Sequence, residues 1–192
     1  MTRTEFDNFC SCHTLLEFMR IKCSNRAVKK LLESFSCKIN ADLQDFLHNK
    51  AIVFENNLRS RTYLYIDNNK ENVIVGYFTL AIKYLETQDL DKSIVDFLNG
   101  HTAKTKALPC YLLGQIAISD DYRSKKIGKF LLDDALEIID ETQEKFGGRF
   151  VLIDSVNDKK VINFYHKNSF VEIQKDKNLK SIKMIKPYFN LI

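Results

Sequence analysis

The chain has 192 residues, 45% of them hydrophobic and 28% charged, with only two prolines and six glycines; this is material for a packed core and excludes a collagenous or low-complexity chain. Lys and Arg number 29 against 25 Asp and Glu, and a net charge of +4 permits an anionic ligand without arguing for one. No apolar run approaches the roughly 18 residues of a membrane span, the polar start at residues 1–7 leads into no signal core, and five irregularly spaced cysteines read as reduced thiols, so the expectation is a cytoplasmic protein with no membrane partner.

In chain order, residues 1–34 read as a helical N-terminal extension. Leu15, Leu16, Phe18, Met19, Leu31 and Leu32 recur at helical spacing, and Asn25 is placed to cap a helix starting near Arg26. A second stripe, Leu43, Phe46, Leu47, Ala51 and Phe54, predicts a helix over 41–54. Residues 62–67 and 73–84 are strand-like and flank a turn-forming run at 67–72, which predicts a β-hairpin. Residues 88–100 read as a helix, 101–106 as a loop, 110–118 as a buried strand and 119–126 as a charged loop. The clearest helix is 127–145, with Ile127, Phe130, Leu131, Ala135, Ile138 and Ile139 on one face. Its other face carries Asp133, Asp134, Glu137, Asp140, Glu141 and Glu144, read as solvated surface, and Gly147-Gly148 suits a cap with positive φ. A strand at 150–155, a short helix at 158–166 and strands at 170–174 and 183–191 follow, so the fold class is α/β with a mixed central sheet.

The informative unit is the strand ending at Ile118, the basic loop after it and the helix beginning near Ile127. First-turn N–H groups of a helix lack intrahelical partners and carry partial positive charge, so they stabilise an anion placed there. Arg123, Lys125, Lys126 and Lys129 surround that spot, and Gly128 lets the main chain come close to a ligand. Read without further context, a cluster of four basic residues is a solvated surface, and the strand–loop–helix setting is what brings an anion site into question.

The same stretch, from Leu113-Gly114-Gln115-Ile116-Ala117-Ile118 through Tyr122-Arg123-Ser124-Lys125-Lys126-Ile127-Gly128-Lys129, resembles motif A of the GNAT superfamily of acyl-CoA N-acyltransferases, whose pattern is Gln/Arg-x-x-Gly-x-Gly/Ala. Arg123 fills the first position and Gly128 the last; Lys126 stands where the middle glycine is expected. Asn157 followed by Val161-Ile162-Asn163-Phe164-Tyr165-His166-Lys167-Asn168-Ser169-Phe170 is similar to the family's asparagine and A-x-x-F-Y-x-x-x-G-F segment, with Ser169 in place of glycine. Upstream, Phe35-Ser36-Cys37-Lys38, Leu43, Phe46-Leu47, Ala51 and Thr62-Tyr63 resemble the N-terminal half of toxin-type GNAT proteins, with Lys38 at a glycine position.

The resemblance implies a GNAT acetyltransferase domain over 35–192 with a mostly antiparallel sheet flanked by helices, and acetyl-CoA as cosubstrate. It implies that Ala117 and Ile118 offer backbone groups to the pantetheine arm. It places Arg123, Ser124, Lys125, Lys126, Ile127, Gly128 and Lys129 around the pyrophosphate, and Asn157 and Phe164 along the coenzyme. Tyr165 is the candidate general acid: the thiol leaving group has a pKa of about 8.5 and a phenol of about 10 can protonate it as it departs. A packing role for Tyr165 is the other reading.

The implied activity is N-acetylation of a primary amine by direct attack. Three acceptors stay open: a small amine, a protein amine, or, in the toxin-type branch, the α-amine of an aminoacyl-tRNA with an antitoxin as masking partner. A homodimer is also within what the family implies. The alternative is a degenerate GNAT fold that binds coenzyme or a partner and turns nothing over. No general base stands out among Tyr84, Glu86 and His101. Cys10, Cys12, His13 and Cys23 are zinc-ligand types in a spacing that fits no standard zinc pattern, so no metal is expected.

Overall fold

A computed structural model describes residues 1–21, 25–100, 105–175, 178 and 180–188. Among these residues seven strands, β1 (Cys10–Thr14), β2 (Arg61–Asp67), β3 (Ile74–Glu86), β4 (Ala107–Ile118), β5 (Phe150–Val156), β6 (Val171–Lys175) and β7 (Ser181–Pro187), form one sheet in the order β1-β2-β3-β4-β5-β7-β6. The helices are α1 (Arg3–Phe9), α2 (Leu15–Ile21), α3 (Asn25–Leu32), α4 (Ala41–Asp45), α5 (Ala51–Asn56), α6 (Lys92–Asn99), α7 (Gly128–Phe146) and α8 (Lys159–His166). The β1–β2, β2–β3, β5–β7 and β6–β7 ladders are antiparallel and β4–β5 is parallel, the mixed, mostly antiparallel sheet that the family resemblance implies. The chain divides into two compact units, Met1–Ala81 with Gln115–Ile138, and Ile82–Gly114 with Ile139–Ile192.

In the first unit, the stretch before residue 35 is not purely helical. Residues Cys10–Thr14 form β1 and pair with β2 from Cys10↔Asp67 to Thr14↔Tyr63. Helical spacing begins only at Leu15, after these five residues, which is why the strand escapes a search for helical faces. Phe6 of α1 is buried, with its ring 4.8 Å from Phe130 and 5.5 Å from Tyr65. Leu15, Val28, Leu32, Phe35, Leu47 and Leu64 are buried in one apolar cluster. The helix expected over 41–54 is α4, a π-helical turn at Phe46–Lys50, and α5, with Asn40 Oδ1 capping the start by accepting the Leu43 N–H. The hairpin β2–β3 carries a bulge at Tyr65/Ile66. Gly76 of β3 is a site of close approach: a Cβ there would lie 2.8 Å from the Ala117 carbonyl oxygen and 2.9 Å from Leu131 Cδ2.

In the second unit, Leu85, Leu98, Leu108, Phe150, Leu152 and Ile185 make the apolar cluster. The helix expected over 88–100 starts only at Lys92, because β3 continues to Glu86 and Thr87 turns the chain by donating its N–H to the Lys106 carbonyl. Gly100 ends α6 at φ +69°, a left-handed cap open to glycine. Asp158 starts α8, its Oδ1 accepting the N–H groups of Lys160 and Val161 at 2.8 and 3.1 Å. The strand expected over 183–191 is β7, and residues 189–191 lie outside the described ones, as do Cys23 and His101.

The carboxylates of α7 are not all solvated surface. Within the first unit Asp134 accepts hydrogen bonds from Arg3 and from the Tyr65 hydroxyl, and its side chain is only 13% exposed. Within the second unit Asp140 accepts from the Tyr188 hydroxyl.

Candidate active site

The basic loop lies in the first unit. β4 ends at Ile118, Ser119 donates its N–H to the Val75 carbonyl, and a 3-10 turn, Asp120–Lys125, leads to Lys126. Lys126 has φ +58° and ψ +31°, the left-handed conformation that glycine adopts without steric cost. The lysine at the family's middle-glycine position thus sits in a conformation open to glycine, and the backbone turns directly into the first turn of α7. Ile127 is fully buried and accepts the N–H groups of Phe130 and Leu131. A Cβ added at Gly128 would meet only the end of the Ile118 side chain, at 3.3 Å. The start of α7 thus presents main chain with room beside it, as close approach of a diphosphate requires.

The basic side chains of the loop do not act alike. Arg123 Nε lies 2.9 Å from Asp120 Oδ1, an ion-pair distance without hydrogen-bond alignment, and its Nη2 donates to Cys37 Sγ at 3.2 Å. Lys125 Nζ sits 4.0 Å from the Phe9 ring centroid and 5.2 Å from that of Tyr122, cation–π geometry. Lys129 pairs with Asp133. Lys126 is exposed and has no ion-pair partner among the described residues. Ser124 lies within the 3-10 turn, and Ala117 and Ile118 close β4, Ala117 buried and Ile118 half-buried. Lys126 is thus the lysine of the loop left without an ion-pair or ring partner among the described residues, beside the helix terminus, and the exposed Asp121 carries the opposite charge in the same turn.

The aromatic segment lies in the second unit. Tyr165 is 6% exposed on α8, edge-on to Phe164 at 5.3 Å and to Phe170 at 5.5 Å between ring centroids. No described residue hydrogen-bonds its hydroxyl, and burial pushes the phenol above its ordinary value, which keeps the proton on it through neutral pH. Ser169, the second replaced glycine, has φ +67° and ends α8 in the left-handed region, with the Phe170 N–H donated to the Tyr165 carbonyl. Phe164 is half-buried and its carbonyl accepts from Asn168 Nδ2 at 2.7 Å. Asn157 is exposed between β5 and α8 and donates its N–H to the Lys180 carbonyl.

Two groups of residues belong to the loop's surroundings and were not singled out from sequence. Asp120 and Ser36 are 84 positions apart and meet through a 2.6 Å hydrogen bond, which no local pattern encodes. Tyr122 donates to Asp67 Oδ2 at 2.7 Å, with Lys70 Nζ 3.3 Å from the same hydroxyl. Of the base candidates, Tyr84 and Glu86 lie exposed on β3. The zinc-type residues Cys10, Cys12 and His13 fall on β1, and His13 contacts Ser11 and Glu17 instead. A depression of about 340 Å3 lined by Asp89, Asp91, Glu172, Ile173, Gln174 and Lys175 holds none of the predicted site residues. No helix among the described residues is long and apolar enough to cross a membrane.

No curated protein matches the sequence. A crystal structure of a tyrosine-to-phenylalanine mutant of KacT is similar at a TM-score of 0.70 and 16% identity, covering 93% of this chain and 95% of that one. AtaT complexed with acetyl-methionyl-tRNAfMet is similar at a TM-score of 0.63 and 20% identity, over 79% of this chain and 85% of that one. AtaTR bound with AcCoA is similar at 0.65 and 22% identity, over 81% and 86%. AtaT is also described as a toxin bound to the C-terminus of the antitoxin AtaR; at such identities the likeness is one of fold. The model of the acetyltransferase (GNAT) family matches residues 28–170, well over half of the sequence, and the chain belongs to that family.

Proposed function

We propose that the protein is an acetyl-CoA-dependent N-acetyltransferase that acts on a primary amine by direct attack, and that its acceptor is the α-amine of an aminoacyl-tRNA. The observation that carries the reading is the left-handed turn at Lys126 running into α7, which sets an exposed lysine, in a conformation open to glycine, at the start of the helix. The residues present fit a diphosphate: first-turn amides, room beside Gly128 and an outward lysine. Acetyl-CoA supplies an acyl group activated as a thioester. Residues 123–129 hold its pyrophosphate through main-chain N–H groups and Lys126, and Ala117 and Ile118 offer strand backbone to the pantetheine. Asn157 and Phe164 line the coenzyme, and Tyr165 holds a proton at its phenolic oxygen for the departing sulfur.

The tRNA acceptor is supported by the neighbours alone, since one of them is described with acetyl-methionyl-tRNAfMet and another with an antitoxin; the same likeness supports an antitoxin partner here. The test is calorimetric titration with acetyl-CoA, paired with thiol release in the presence of charged tRNAs, polyamines and a peptide amine. Binding with release stimulated by charged tRNA supports the whole reading. Stimulation only by polyamine or peptide overturns the acceptor and keeps the enzyme. Binding without release under any acceptor favours a degenerate coenzyme-binding module, and no binding removes the coenzyme from the account.

A further inference from the structure

The coenzyme loop does not hold itself. Its 3-10 turn, Asp120–Lys125, has no side-chain cap, and 3-10 geometry is weak over such a length. It then passes through a lysine in the left-handed region. Something outside the turn must set its path.

Asp120 is where the outside support converges. Its N–H donates to the Ser36 carbonyl at 2.8 Å. Its Oδ2 accepts from the Ser36 hydroxyl at 2.6 Å and from the Lys38 N–H at 3.0 Å. Its Oδ1 lies 2.9 Å from Arg123 Nε, and the other end of that guanidinium donates to Cys37 Sγ. The carboxylate thus holds Ser36 and Lys38 directly and, through Arg123, reaches Cys37, tying the segment 36–38 to the first and fourth residues of the turn. The two oxygens point to different partners, so the pattern needs a charged, two-sided acceptor of aspartate length. The same contacts engage Nε and Nη2 of the half-buried Arg123, so its charge serves to set the turn.

We propose that Asp120 is the positioning residue of the coenzyme loop, acting through Arg123 and the Ser36–Lys38 backbone to hold the Lys126 turn and the start of α7 in the shape that receives the pyrophosphate. The proposal rests on the coenzyme reading above. It gives the Phe35-Ser36-Cys37-Lys38 segment a role, as a brace for the loop that meets the coenzyme.

The experiment compares Asp120→Ala, Asp120→Asn and, as a stability control, Glu55→Ala. Glu55 is a buried carboxylate of the same unit, paired with Arg61 and accepting the Thr62 N–H, with no contact to the loop. Each protein is titrated with acetyl-CoA, and amide hydrogen exchange is followed without ligand. The expected result for Asp120→Ala is an affinity for acetyl-CoA at least tenfold weaker, with faster exchange confined to residues 36–38 and 120–126. In turnover the KM for acetyl-CoA rises while kcat at saturation stays within about threefold. Asp120→Asn, which keeps one acceptor oxygen and loses the ion pair, lies between. Glu55→Ala lowers the melting temperature and leaves affinity unchanged. Should Asp120→Ala fail to fold, Ser36→Ala with Asp120→Asn decides in its place. Wild-type affinity in the Asp120 variants overturns the proposal, and so does a Glu55→Ala loss as large as theirs. If the wild type itself binds no acetyl-CoA, the coenzyme reading fails instead. The exchange data then decide the brace: unchanged exchange in the variants overturns it, faster exchange at 36–38 and 120–126 supports it.

Discussion

Lys126 and Ser169 stand at the two places where the family pattern has glycine, and both lie at positive φ, +58° and +67°. A side chain in the left-handed region costs about 1–2 kcal/mol, and glycine returns about 0.5–1 kcal/mol of that through its freer unfolded chain. Ser169→Gly is therefore expected to stabilise by about 0.5–1 kcal/mol, read as a higher urea midpoint at constant slope; an equal or lower midpoint shows that the turn carries no strain. Lys126→Gly gains similarly in stability and loses an outward ammonium, so acetyl-CoA affinity falls, more at 20 mM salt than at 500 mM, on the order of the Debye screening between them. Loss of equal size at both salts would assign Lys126 no electrostatic part. Tyr165 gives the second residue-scale prediction. Tyr165→Phe keeps the packing against Phe164 and Phe170 and removes the proton, so turnover drops on the order of 100-fold while acetyl-CoA affinity holds. Burial raises the Tyr165 phenol, so its neutral, proton-bearing form persists above the ordinary tyrosine range, and kcat shows no alkaline fall from this group below about pH 10. A tyrosine-dependent fall near pH 8, absent in the phenylalanine variant, contradicts that placement.

At the scale of elements, two glycines separate packing from ligand contact. Gly76 lets β3 pass against the Ala117 carbonyl and Leu131 of α7, and both neighbours sit within 3 Å of where a Cβ would be. Gly76→Ala forces α7 off the strand and costs about 1–3 kcal/mol. Gly128 meets only the flexible end of Ile118, so Gly128→Ala leaves stability within about 1 kcal/mol and acts on acetyl-CoA affinity instead. Urea midpoints and calorimetry on the two variants check the split; a large stability loss in Gly128→Ala would sink it. The Gly128 half of this contrast was readable in advance, because its motif is local: a strand, a basic run and a helix face within 30 residues or so. The hairpin, α7 and α8 were readable for the same reason, each carrying its own periodicity and cap. β1 was not, because a strand that finds its partner some 50 positions away has only five residues in which to show alternation, and these are cysteines, serine, histidine and threonine. The late start of α6 was hidden because apolar Leu85 and Leu90 serve β3 and the turn after it as readily as a helix. Gly76 and Asp120 gave no signal for a stronger reason: their importance is a distance to residues remote in sequence.

For the molecule as a whole, the acid limb of stability should report on the first unit. Asp120 is held below the usual carboxylate range by the Ser36 hydroxyl, the Lys38 amide and Arg123. For Asp67, burial pushes the carboxyl up, and the Tyr122 hydroxyl, the Asn69 amide and Lys70 outweigh it, so the net direction is again down. A carboxylate whose folded value lies below its unfolded value stabilises fully above the unfolded value, about 3.9, and that stabilisation is lost as pH falls through the folded value. Unfolding midpoints should therefore be level from pH 7 to about 5 as far as these groups are concerned, and fall below about pH 4. Both carboxylates anchor chain far from their own positions, Asp120 at residues 36–38 and Asp67 at Tyr122. Protonating them should therefore loosen the path into α7 before it unfolds the β5–β7 ladder of the other unit. Hydrogen exchange at pH 3 and pH 6, corrected for intrinsic rates, tests this directly: protection should be lost first at residues 36–38, 67–70 and 120–126, with Asp67→Asn shallowing the acid slope. Uniform loss across both units, with the same slope in the variant, would mean that these carboxylates take no special share in acid stability.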